Sequence, residues 1–164
     1  RAGVVHGALK PGNIHISHAD SDPDLDQPQS STPSTSSSPS CTVVLSDIGL
    51  SSIKSSLNTM TLSPTVAYMA PELIQGDIPT FASDIYALTV LILEVWDPAT
   101  VRASLSAAPM KLAMRIMDAN VVSATQLDIA LPICLAQFLN QCLDAQPETR
   151  PSASALAHAI QMWM

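Results

Sequence analysis

Charge is what this sequence has least of. Asp, Glu, Lys and Arg make up 13% of its 164 residues, against roughly 25% in an ordinary soluble domain. A surface so poor in charge is expected to be covered in part by something else. Bases are the scarcer sign. There are seven, Arg1, Lys10, Lys54, Arg102, Lys111, Arg115 and Arg150, scattered along a chain of net charge −7. Recognition of nucleic-acid phosphates needs clustered Lys and Arg, so a nucleic-acid partner is excluded, and a polybasic membrane anchor with it. Long hydrophobic runs are also missing. The longest largely apolar stretch, Tyr86 to Leu93, has eight residues, whereas a membrane span needs about 20. Cysteine is sparse: Cys41, Cys134 and Cys142 form no CxxC pair and leave one thiol over. That excludes a disulfide framework and points to a reducing, intracellular and cytoplasmic setting.

What is present is unevenly distributed. Hydrophobic residues reach 47%, enough for a substantial core in one domain. Residues 19–40 contribute nothing to it. Ten of these 22 residues are Ser or Thr, four are Pro and four are Asp, a composition that predicts disorder. Without this segment ten acids face seven bases, so most of the acidity belongs to one loop. On either side lie short β-like runs, Asn13–Ser17 and Cys41–Leu45. They predict a hairpin with an oversized tip.

Beyond a Ser/Thr-rich stretch ending at Thr65, the pattern turns helical. Thr80 and Ser83 offer caps and Asp84 suits the positive end of a helix dipole. Ile85–Trp96 is apolar almost all round, as in a buried helix, and Pro98 limits its far end. Pro109–Ala119 is amphipathic, with Met110, Ala113, Met114 and Met117 on one face and Asn120 as a candidate C-cap. That Met stripe suits either a plastic partner groove or ordinary packing, and packing is the expectation. Pro132 opens a helix running to about Leu143. Pro151 and Ser152 open a last one, with Leu156, Ile160 and Trp163 on one side.

Five motifs occur in a fixed order. Val5-His6-Gly7-Ala8-Leu9-Lys10-Pro11-Gly12-Asn13-Ile14 resembles the catalytic loop of eukaryotic protein kinases, His-Arg-Asp-Leu-Lys-Pro-x-Asn. Ser46-Asp47-Ile48-Gly49 is similar to the Asp-Phe-Gly metal motif, with Ile for Phe. Thr65 to Glu72 resembles the Ser/Thr-type end of the activation segment, closing on Ala-Pro-Glu. Ser83-Asp84-Ile85-Tyr86-Ala87 is similar to the start of the central large-lobe helix, and Arg150-Pro151 to the late Arg before the last helix. Asn13 and Asp47 lie 34 positions apart. Removing the 22-residue insertion leaves 12, close to the roughly one dozen of the family.

The resemblance implies a mainly α fold: a protein-kinase-like C-terminal lobe, residues 1–164, with a short β-hairpin near the N-terminus. It implies no small lobe within the chain, since the Gly-rich loop, strand Lys and partner Glu are absent. For the site it implies ATP and Mg²⁺ as cofactors, with Asp47 as principal Mg²⁺ ligand, Asn13 as second ligand and Lys10 on the transferred phosphate. For structure it implies that Glu72 pairs with Arg150 and that Asp84 holds the loop backbone near His6. One departure is severe. The loop Asp that orients the substrate hydroxyl and accepts its proton is Ala8 here, and the Arg before it is Gly7.

These features predict a pseudokinase or catalytically impaired Ser/Thr-type fragment, related also to the tyrosine-kinase-like type, acting in binding or scaffolding. Its partner would be a protein or the small lobe it lacks. One alternative is an active ATP-dependent Ser/Thr kinase whose small lobe lies on other sequence. Another is a non-functional truncated gene product. The remaining polar residues carry less. His15 and His18 lack the company a tetrahedral metal site needs, and His15 reads as an exposed strand residue. His158 reads as a helix-face residue. Ser51, Ser52, Ser55, Ser56, Thr59, Thr61 and Ser63, with Thr32 and Ser38 before prolines, are candidate phosphoacceptors.

Overall fold

The computed structural model describes residues 3–18, 41–48, 64–118, 122–126 and 131–163. The insertion at 19–40, the phosphoacceptors named above and the candidate cap Asn120 therefore lie outside the described residues.

The chain enters through an extended loop into a 3₁₀ turn at Pro11–Asn13, then strand β1, Ile14–His18. Strand β2, Cys41–Leu45, pairs with it antiparallel in the register Ile14↔Leu45, Ile16↔Val43, His18↔Cys41. Six α-helices follow among the described residues: α1 Pro71–Gln75, α2 Phe81–Trp96, α3 Pro98–Leu105, α4 Pro109–Met117, α5 Ile133–Cys142 and α6 Ala153–Trp163. The fold is thus mainly α with one N-terminal hairpin.

Local chemistry sets the helix ends. Thr80 begins α2 through a reciprocal capping box: its hydroxyl accepts from Ser83 N–H, and Ser83 Oγ accepts from Thr80 N–H. At the far end Pro98 does two things. It cannot continue α2, and it occupies the first turn of α3, where Asp97 caps the N–H of Thr100 at 3.0 Å. Helix α1 starts on Pro71 and stops at Gly76, whose φ of 101° places it in the left-handed region where a side chain is strained.

The core forms around α2. Leu93, Val101, Leu139, Cys142 and Leu156 bring α2, α3, α5 and α6 into one cluster. Tyr86, Val90, Leu112 and Ile116 join α2 and α4 to the 3₁₀ turn Pro64–Tyr68 in a second. Leu9, Ala87 and Leu91 form a third, with Ile14 packed on it, which seats the loop before the hairpin on the central helix. Thr89 is the polar intruder; its hydroxyl donates back to Ile85 O at 2.8 Å. Trp96 and Trp163 meet edge to face at 5.0 Å, closing α6 onto the end of α2.

Two regions differ from expectation. Helices α1 and α3 stand in stretches to which the sequence pattern assigned no element. On α4 the buried residues are Leu112 and Ile116, while Met110, Met114 and Met117 are exposed. Ordinary packing of the Met stripe is thereby corrected. The helix carries two apolar stripes, and the one that meets the 3₁₀ turn and α1 is the Leu/Ile one. No described helix is long and apolar enough to cross a membrane.

Candidate functional site

The loop His6–Asn13 is held from three sides. Asp84, in the first turn of α2, accepts from His6 N–H at 2.7 Å and from Gly7 N–H at 2.8 Å, one bond to each carboxylate oxygen. Such charge-assisted bonds are about twice as strong as neutral ones. They fix Gly7 at φ 71°, a conformation its missing Cβ permits. Asn13 is buried, and its Nδ2 donates to Ala8 O at 2.8 Å, bracing the loop from within and leaving Oδ1 as its available oxygen. Asn13 O in turn accepts from Ser46 N–H at 3.0 Å. That backbone bond brings Asp47, one residue on, beside the loop.

His6 is buried, with Nδ1 accepting from Ala8 N–H at 3.3 Å. An accepting Nδ1 leaves a proton on Nε2, which has no hydrogen-bond partner among the described residues. His15, by contrast, is an exposed strand residue whose Nε2 lies 3.0 Å from Ser46 Oγ across the hairpin, and His158 is exposed on α6.

The residues at the mouth of this loop are open. Asp47 is exposed and has φ 62°, the only described non-glycine residue at positive φ. Strain of this kind concentrates at functional positions. Lys10 is half-buried and makes no ion pair among the described residues. Asn13 Oδ1 and the Asp47 carboxylate are hard oxygen donors of the kind Mg²⁺ takes. No group of three or more His, Cys, Asp or Glu forms a metal cluster among the described residues. A Mg²⁺ ion here would draw its remaining ligands from phosphate and water, as it commonly does. Ala8 stands in the wall of a small, shallow cleft together with Gly7, Tyr68, Met69 and Asp84. Its methyl group brings no hydrogen-bond acceptor to that wall.

Two buried carboxylates organise the surroundings. Arg150 Nη1 and Nη2 each donate to one oxygen of Glu72 at 2.7 Å, a fork-to-fork pair between α1 and the segment before α6. Arg150 Nε reaches Asp144 O, and the Nη groups also reach Ala82 O and Ala145 O. All five guanidinium N–H groups are thus engaged. The guanidinium sits 5.2 Å from the centre of the Tyr86 ring. Burial pushes the Tyr86 phenol up to about 12, the Glu72 charge pushing the same way and Arg150 opposing it.

The second carboxylate, Glu94, escaped sequence reasoning. It is buried in α2, where Tyr68 Oη donates to Oε2 at 2.7 Å and Arg102 Nε to Oε1 at 2.9 Å. Burial, then the bond to Glu94, raises the Tyr68 phenol well above its ordinary range. The signal was available: Glu94 is the single acid in the largely apolar run Ile85–Trp96, and an acid there is rarely buried without partners. It ties the end of the Pro64–Tyr68 turn to α2 and α3.

A helical lobe with a short hairpin, a loop clamped by an acid on its central helix and a Glu–Arg tie across its base together define a kinase-type large lobe. A sequence model of the protein kinase domain matches residues 1–162, and the chain belongs to that family. Among curated proteins it is 31% identical over 160 residues to mouse "Serine/threonine-protein kinase Nek9", covering 95% of this chain and 14% of that protein. It is 27% identical to "Putative serine/threonine-protein kinase/receptor R818" of Acanthamoeba polyphaga mimivirus, over 91% of this chain and 8% of that protein. Over 63% of this chain and 10% of the relative it is 36% identical to "Tyrosine-protein kinase-like otk" of Drosophila persimilis. The chain therefore spans a seventh or less of the length of each.

Proposed function

We propose that this chain is a catalytically impaired kinase-family module that works by binding a protein. The observation that carries the reading is Ala8, a methyl group where the family's reaction uses a carboxylate. In phosphoryl transfer that carboxylate positions the substrate hydroxyl and takes its proton. General-base groups contribute about 10²–10⁴-fold. The framework around the gap is intact, with the loop held by Asp84 and the base of the lobe tied by Glu72 and Arg150. A rigid scaffold with a blunted centre suits binding better than turnover. Lys10, Asn13 and Asp47 are the residues we assign to a Mg²⁺–ATP complex, should the small lobe that clamps ATP be supplied. The exposed apolar residues Ile16, Val43, Val44 and Ile48 on and beside the hairpin support the need for such a lobe or for a partner. Cys41 and Cys134, exposed free thiols, support a reducing compartment.

The test is a phosphotransfer assay with Mg²⁺–ATP and a general protein substrate, run on the unmodified chain and on Ala8→Asp. Transfer by the unmodified chain is expected at background. Robust Mg²⁺–ATP-dependent transfer by it would overturn the reading. A second reading, an active Ser/Thr kinase whose small lobe is encoded elsewhere, is favoured by the exposed carboxylate of Asp47 and the uncommitted Oδ1 of the buried Asn13. A Gly-rich loop and a strand Lys in the coding sequence preceding Arg1, with activity of the joined protein, would establish it.

A further inference from the structure

The cleft beside Ala8 offers hydrocarbon and little else. Ala8 shares its wall with Leu9, Met69, Leu73 and Ala87. Three polar side chains complete it, those of Tyr68, Ser83 and Asp84. Each is already committed within the fold. Tyr68 Oη donates its proton to Glu94 at 2.7 Å. Ser83 Oγ donates to Thr80 O and accepts from Thr80 N–H. Asp84 spends one oxygen on His6 N–H and the other on Gly7 N–H.

The backbone of the wall is engaged too. Gly7 N–H goes to Asp84, Ala8 N–H to His6 Nδ1, Met69 N–H to Val66 O and Leu73 N–H to Ala70 O. Ala8 O accepts from Asn13 Nδ2 at 2.8 Å. An incoming carboxylate or phosphate meets no vacant donor among these groups and faces the charge of Asp84. The strongest acceptors an incoming hydroxyl could seek, the Asp84 oxygens, already hold one N–H each, and so does any contact for a Lys or Arg head. A buried polar group with an imperfect bond is costly. A side chain that asks for no hydrogen bond enters without that cost. Gly7, Ala8, Tyr68, Met69 and Leu73 are only half-buried, so the cleft opens to solvent.

We infer that this cleft anchors the protein partner, and that it takes one short aliphatic side chain, Val, Ile or Leu, from an extended segment of it. The cleft is small, which suits an extended segment, since that presents its side chains singly. The inference rests on the proposed binding role and names the chemistry of what is bound. A kinase substrate offers Ser, Thr or Tyr; the partner of this chain offers an apolar residue.

The test uses the full chain with ¹³C-methyl methionine. Its probes are short synthetic peptides, alike except at the central residue, which is Val, Ser, Asp or Lys. Met69 lies in the wall and reports on the cleft. Met162 is the control, since its neighbour Trp163 packs on Trp96 at the far end of α2. The Val peptide is expected to shift the Met69 methyl signal and leave Met162 unmoved. The other three should bind about tenfold less tightly or worse. Ala8→Asp should weaken the Val peptide to a similar degree by putting a charge in the wall. Ala8→Leu should do so by filling the cleft without charge, which keeps the test sound if the first variant perturbs folding. Equal or tighter binding of the Ser peptide, Val binding untouched by both substitutions, or no Met69 shift at millimolar peptide would overturn the inference. Background phosphotransfer alongside any of these would leave the impaired-module reading standing, whereas Mg²⁺–ATP-dependent transfer to the Ser peptide would overturn both. A Met69 shift that grows with protein concentration in the absence of peptide would overturn the inference as well, because the occupant would then be a second copy.

Discussion

Two polar constellations in this lobe are built on opposite plans. At its base, Arg150 and Glu72 are buried, face each other in a bidentate pair and leave no guanidinium N–H unused. At the loop, Lys10 has no ion pair among the described residues, Asn13 keeps an oxygen unspent, and Asp47 stands exposed in a strained backbone conformation. A closed constellation serves the fold, because its groups answer one another. An open one leaves atoms, such as Asn13 Oδ1 and the Asp47 carboxylate, that bond nothing among the described residues. Ala8 belongs to the second, and its methyl group takes no part in the hydrogen bonds that hold the framework.

Removing one partner of the closed pair tests this contrast most severely. Arg150→Ala leaves Glu72 buried without a counter-charge and strips three backbone carbonyls of their donor. Breaking such a pair typically costs about 3–5 kcal/mol, a large part of the stability of a domain. Urea unfolding of Arg150→Ala should show a much lower midpoint or no cooperative transition. A midpoint near that of the unmodified chain would mean the pair is not what holds α1 to the segment before α6.

Asp84 stands between the two plans, a buried-side acid whose partners are backbone N–H groups of the loop itself. In Asp84→Asn one carboxylate oxygen becomes an NH₂ facing an N–H donor, so one bond is lost and a donor left unmatched. Hydrogen bonds to charged groups contribute about 1.5–3 kcal/mol, and a loss of about 2 kcal/mol is expected in the same unfolding measurement. Amide hydrogen exchange at His6 and Gly7 should accelerate with it. Unchanged exchange would show that the loop is held by Asn13 instead.

The base of the lobe has a signature in alkali as well. The Tyr86 phenol is raised from its ordinary 10 to about 12 by burial. An unfolded chain releases this proton near pH 10 and the folded chain near 12, so between those values the folded state binds more protons. Stability is then fully present below pH 10 and falls as pH rises towards 12, by on the order of 2 kcal/mol. Tyr86→Phe keeps the ring beneath Arg150 and removes the titration, so it should flatten this fall. An equally steep fall in Tyr86→Phe would assign the loss to Tyr68, whose phenol is raised too.

The closed plan was more legible in the sequence than its surroundings. The hairpin, the Thr80 start of α2 and the mainly helical fold follow from alternation, capping residues and apolar periodicity, which are local. Helices α1 and α3 escaped because each is short and begins on a proline: Pro98 signals a stop as readily as a start, and Asp97 decides between them only once Thr100 N–H is seen upon it. On α4 the two stripes are equally periodic, and which is buried depends on the 3₁₀ turn and α1 arriving from elsewhere in the chain. At the site, the loop residues were named by their resemblance to the kinase motifs, which the order and spacing of those motifs strengthened. Glu94 was not, because an acid within an apolar run discloses its partners Tyr68 and Arg102 only in three dimensions.

The smallest effect separates the two plans most cleanly, because its sign is reversed. Asp47 adopts φ 62° without being glycine. Left-handed backbone costs an ordinary residue about 1–2 kcal/mol, and Asp somewhat less because its short side chain bonds locally. Asp47→Gly removes that cost but returns part of it as extra freedom in the unfolded chain. The net result should lie between no change and a gain of about 1 kcal/mol in urea unfolding. If Asp47 were part of the fold's own bonding, the same substitution would destabilise, as Arg150→Ala does. A loss of 2 kcal/mol or more would therefore move Asp47 into the closed class and remove the argument that it is kept for something the chain binds. A gain, in a protein that nonetheless retains the aspartate, is what a residue held under strain for a ligand should give.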